Sequence, residues 1–165
     1  MSGAEHVPRA GAEPMSEAKR SPTDTAESTE PAPRGPRTTS ATTTRGIRIE
    51  VRSEFLPERS SPRDGSYLFQ YDVRISNVGT ETAQLISREW IITNADGEVE
   101  RVKGPGVIGE QPVLQPGTSF EYTSYCPLKT AVGSMQGSYQ MVTSDGDRFD
   151  AAISPFTLAV PNALN

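Results

Sequence analysis

Two side chains that carry much of protein chemistry are nearly missing from this sequence. Histidine occurs once, as His6, and cysteine once, as Cys126. A single cysteine can form neither an intramolecular disulfide nor a multi-cysteine zinc site. A single histidine leaves almost nothing for Ser-His or Cys-His catalysis or for a histidine metal cluster. Aromatic residues make up 7% of the 165 residues and apolar residues 34%. An ordinary globular chain has roughly 45–50% apolar residues on a slightly wider set that includes glycine. No window approaches the ~18–20 apolar residues of a membrane span, and no apolar core of a secretory signal is present. The expectation is a cytoplasmic protein without membrane insertion.

Positive charge is also short. Residues 46–165 hold 10 bases and 15 acids, which is the whole net charge of −5. An acidic domain is a poor partner for a phosphate backbone, so nucleic-acid binding is not expected.

What is abundant is uneven. Ala, Ser, Thr and Pro supply 26 of the first 45 residues, which contain no aromatic side chain. Such a segment buries too little apolar surface to offset the entropy of ordering it. Residues 1–45 therefore read as a disordered tail, with the run Thr38–Thr44 as a low-complexity linker.

Residues 46–165 read as strands. Tyr67, Phe69, Tyr71, Val73 and Ile75 alternate with Leu68, Gln70, Asp72, Arg74 and Ser76, as do Ile47, Ile49 and Val51 with Arg48, Glu50 and Arg52. Period two means one buried and one wet face. Residues 84–93 give a third strand, with Ile86, Trp90 and Ile92 assigned to one face. Glu98–Val102 reads as an edge strand after an Asn94–Gly97 turn, and Ser119–Tyr125 as a strand burying Phe120 and Tyr122. Gly137–Thr143 pairs through Asp145-Gly146 with Arg148–Val160. In the last strand Phe149, Ala151 and Ile153 have odd parity, whereas Phe156, Leu158 and Val160 have even parity. A bulge at Ser154-Pro155 would reconcile them, because proline cannot donate to a ladder. The sum is an all-β fold: an antiparallel β-sandwich of about seven strands, of immunoglobulin or fibronectin type III type.

Gly104-Pro105-Gly106-Val107-Ile108-Gly109 fits the spacing G-x-G-x-x-G. In a dinucleotide site that motif opens a helix whose N-terminus holds the pyrophosphate. Here Pro112 and Pro116 follow and forbid the helix. Two readings remain: an anion-binding nest of amides, with Gly104, Gly106, Gly109 and Gln111 as candidate ligand residues, or a structural turn using positive φ. The turn is favoured, since Glu110 is a poor neighbour for an anion. Arg88, on the parity of Trp90, joins the candidates. It either recognises a carboxylate or phosphate, or packs its stem on Trp90 and pairs with a local acid. Asp145, Asp147 and Asp150 cluster near a turn, but Asp-Gly turn chemistry accounts for them without a metal. Cys126 reads as a buried small hydrophobe. No catalytic constellation, cofactor site or metal site is expected. Leu114-Gln115-Pro116-Gly117-Thr118-Ser119-Phe120 is similar to a fibronectin type III turn, with Pro116 and Gly117 suited to a type II turn.

Several stretches together resemble the ApaG domain family across residues 46–165. They are Trp90–Asn94, Gly104–Pro112, Tyr122–Ser124, Gly133–Met141 and Phe156–Pro161. The resemblance implies a fibronectin-III/immunoglobulin-like sandwich and no enzymatic mechanism. Bacterial members are linked by name to Co²⁺/Mg²⁺ resistance and efflux, and related eukaryotic domains look like interaction modules. The expected function is thus a non-enzymatic binding module for an unidentified protein partner. The alternative is a small-anion, pyrophosphate or nucleotide-binding domain using the Gly104–Gly109 loop.

Overall fold

The computed structural model describes residues 35–163. Nine strands follow in chain order: β1 (Thr38–Thr44), β2 (Ile47–Phe55), β3 (Tyr67–Asn77), β4 (Ala83–Asn94), β5 (Val99–Pro105), β6 (Val113–Leu114), β7 (Ser119–Leu128), β8 (Val132–Thr143) and β9 (Arg148–Ala159). One sheet has the order β1-β2-β3-β7; the other has β5-β4-β8-β9, with the two-residue β6 also paired to β4. Every pairing is antiparallel. The all-β sandwich read from alternation is the observed architecture.

The alternation of β2 and β3 aims Ile47, Ile49, Val51, Phe69, Tyr71, Val73 and Ile75 between the sheets, where all are buried. The other sheet contributes Trp90, Tyr139 and Phe156. The Trp90 ring meets Tyr71, Tyr139 and Phe156 edge-on at 5.2, 6.4 and 6.0 Å, the geometry that ring quadrupoles favour. Tyr122 of β7 and Tyr139 of β8 join the sheets through a buried hydroxyl–hydroxyl bond of 2.5 Å.

Two bulges set which residues face inward. In β9, Met135 pairs with Phe156 and Gly137 with Ile153, so Ser154-Pro155 holds one extra residue, as the parity change required. In β4, Leu85 pairs with Met141 and Ser87 with Gln140, leaving Ile86 unopposed. That bulge corrects the expected face of the strand: Leu85 is buried with Trp90 and Ile92, and Ile86 is not.

The start of the domain also needs correcting. Thr38–Thr44, read as a linker, is β1, paired residue for residue with β2. Two of its even-numbered hydroxyl residues, Thr38 and Thr44, bond the backbone of β9, whereas the buried Ser40 Oγ has no hydrogen-bond partner among the described residues. Thr38 Oγ1 donates to the Thr157 carbonyl, and Thr44 Oγ1 accepts from the Ala152 amide at 3.3 Å. At its two ends β1 thus meets the backbone edge of the opposite sheet with hydroxyls, a task that needs no aliphatic side chain and leaves no hydrophobic alternation to read. The tail expectation for residues 1–34 lies outside the described residues.

Candidate functional site

The glycine motif begins inside a strand. Gly104 and Pro105 end β5, opposite Arg88 and Ser87 of β4. The chain then turns back: Val107 N–H donates to the Glu110 carbonyl at 2.8 Å, and Glu110 N–H returns to Val107 at 2.9 Å. Between them Ile108 and Gly109 both have positive φ, 40° and 81°, the pattern of a type I′ hairpin. No helix follows; the next element is β6.

Gly106 is required at its place. Its φ is +59°, and a Cβ there would meet the Glu110 carbonyl oxygen at 2.3 Å. Its amide donates to the Ile86 carbonyl at 2.8 Å, which also accepts from Gln111 Nε2 at 2.9 Å. The β4 bulge therefore presents the docking point of the whole loop: an unopposed residue aims its carbonyl sideways. Arg88 completes the arrangement. Its Nη1 donates to the carbonyls of Pro105 and Gly106 at 3.0 and 2.9 Å. A Cβ on Gly104 would lie 2.9 Å from both terminal guanidinium nitrogens, so the absence of a side chain lets the guanidinium lie against the strand.

The structure thus brings Arg88, Gly104, Gly106 and Gln111 together. Gly109, at the hairpin tip, has nothing within 4 Å of a built Cβ. The Gly106, Val107 and Glu110 amides donate within this assembly instead of converging on an outside point. Two backbone carbonyls are among the guanidinium's partners here, a pairing that residue types alone do not reveal.

The remaining candidates are dispersed. Asp145 and Asp147 lie on the exposed β8–β9 turn, and Asp147 approaches Arg45 at 3.7 Å. Among the described residues no three His, Cys, Asp or Glu side chains gather as metal ligands. Cys126 is buried, and burial, with a smaller contribution from the charge of Glu100, pushes its thiol well above the ordinary range. A thiolate is therefore disfavoured at neutral pH. Gln115 accepts the Thr118 amide at 3.0 Å, and Gly117 has φ +87°, the turn expected from Pro116-Gly117. Among the described residues no helix is long and apolar enough to cross a membrane.

One surface carries no signal of its own in the sequence. The outward residues of β2, β3 and β7, together with β1 and the Ile108 hairpin, enclose a groove of about 970 Å³. Alternation marks Glu50, Arg52, Asp72 and Arg74 only as a wet face. Their convergence depends on strand register, which the alternation does not fix.

The ApaG domain model matches residues 57–143. The chain is 58% identical over 126 residues to Protein ApaG of Anaeromyxobacter dehalogenans strain 2CP-1, covering 76% of this chain and 99% of that one. It is 56% identical over 119 residues to Protein ApaG of Thiobacillus denitrificans, covering 72% and 94%. A crystal structure named for the ApaA protein of Bordetella pertussis superposes with a TM-score of 0.66 at 43% identity, covering 79% of this chain and all of that one.

Proposed function

The chain belongs to the ApaG domain family, and on that premise we propose that it is a non-enzymatic binding module for a protein partner. Any effect on divalent-cation handling is then indirect. A cytoplasmic location, without membrane insertion or nucleic-acid binding, is part of the same reading. The observation that carries it is the internal engagement of the glycine loop. Its Gly106, Val107 and Glu110 amides and the Arg88 guanidinium all have intramolecular carbonyl partners. A pyrophosphate at Gly104–Gly109 would have to displace them, and a nest binds anions only with amides turned outward. What the loop offers outward is a rigid turn bearing an exposed apolar side chain, Ile108.

Cross-linking of the full chain in an extract of its own cells, followed by purified reconstitution, tests the reading. One partner that binds saturably after purification is expected. Recovery of nothing above a blank support would overturn it.

A further inference from the structure

Resting on that interaction reading, we infer that the groove on the outer face of the β1-β2-β3-β7 sheet docks an extended Lys- or Arg-bearing segment of the partner, with Ile108 as its apolar anchor.

The groove's volume of about 970 Å³ suits a peptide side-chain cluster, being near the upper end of ordinary ligand sites. Its floor is ruled by register. Arg52, Asp72 and Thr123 form one cross-strand row, and Glu50, Arg74 and Glu121 the next. With Glu110 from the hairpin, the lining holds four carboxylates and two guanidiniums, and Arg48 beside it brings a third guanidinium to Glu50 at 3.4 Å. The excess is negative, which selects a cationic segment and disfavours phosphate, nucleic acid and anionic lipid.

The ion pairs already present are easily exchanged. Arg48–Glu50 spans 3.4 Å, Arg52–Asp72 3.8 Å and Arg74–Glu121 3.6 Å, all six side chains being solvent-accessible. Exposed pairs of this length contribute little and can be traded for a partner's charge. Glu110 has no ion-pair partner among the described residues, and it stands two residues from Ile108.

Ile108 is the independent observation. It holds φ +40°, a conformation that a β-branched residue adopts only under strain. Asn or Gly would satisfy the same turn without it. The residue is 42% exposed, so intramolecular packing covers only part of it. Its position on the groove wall gives it a use: an apolar anchor beside carboxylates, fixed by a rigid hairpin.

The test is an NMR titration of the full chain with a short peptide of Lys, Thr and Leu, and with its counterpart carrying Glu in place of Lys. Saturable shifts at Glu50, Arg74, Ile108 and Glu121 with the Lys peptide are expected, weakening with salt, and none with the Glu peptide. The variant Glu110→Lys/Glu121→Lys should raise Kd roughly tenfold, and Ile108→Asn, which keeps the turn, should also weaken binding. Val99→Asp, an exposed change outside the groove lining, should not. Shifts elsewhere, equal binding of both peptides, or indifference to the groove variants would overturn the inference. A native partner captured equally by wild type and by Glu110→Lys/Glu121→Lys would sink the groove and leave the interaction reading standing. A chain that binds the Lys peptide in the groove yet has no cellular partner would do the reverse.

Discussion

Two hairpin turns in this molecule use the same backbone device and differ in what they do with the side chain it exposes. Arg45-Gly46, between β1 and β2, and Ile108-Gly109 both place a non-glycine residue at positive φ followed by glycine. Arg45 recovers something from its position. Its guanidinium pairs with Glu81 at 3.0 Å and lies 5.0 Å from the centre of the Phe149 ring. Ile108 carries the heavier steric cost, being β-branched, and the residue is 42% exposed. The first turn is explained within the fold. On the inference drawn above, a partner segment meeting the groove would account for the second, since a strained position only partly covered within the fold is where function is to be sought.

Gly106→Ala adds a Cβ against the Glu110 carbonyl in a left-handed conformation, and should destabilise the domain by roughly 3 kcal/mol, read from the urea midpoint at unchanged slope. Arg88→Ala removes the donor to two carbonyls and should cost about 2 kcal/mol. Amide exchange should then accelerate at Gly106 and Glu110 and stay unchanged at the Arg45 turn. Ile108→Asn sharpens the contrast, because relief of the strained φ should raise stability by about 1 kcal/mol in thermal unfolding while weakening groove binding. Arg45→Asn relieves a similar strain but loses the Glu81 and Phe149 contacts, so its net change should stay within about 0.5 kcal/mol. Equal gains at the two positions would mean that the turns do not differ as described.

Much of the sandwich could be read from alternation, even to the Ser154-Pro155 bulge, because a parity change within one strand has few other remedies. The β4 bulge escaped for an instructive reason. Leu85 and Ile86 are adjacent and equally apolar, so the sequence offers both faces to the core, and only pairing with β8 decides. β1 escaped because its inward hydroxyls serve a backbone edge, leaving a pattern that looks like low complexity. At the site, the proline-blocked helix was legible and correctly removed a dinucleotide fold. The partner of Arg88 was not legible: the carbonyls of Pro105 and Gly106 carry no residue-type signal, and the Ile86 carbonyl is aimed at the loop by a register shift. The groove was illegible for the same reason, as its charges belong to three strands distant in sequence.

The Gly104–Gly109 segment closes on itself as a structural hairpin. Titration of the full chain with pyrophosphate, followed amide by amide from Gly104 to Gln111, tests it most directly. No saturable shift at millimolar ligand is predicted. Saturable shifts confined to Gly106, Val107 and Gly109 would contradict it and restore an anion site.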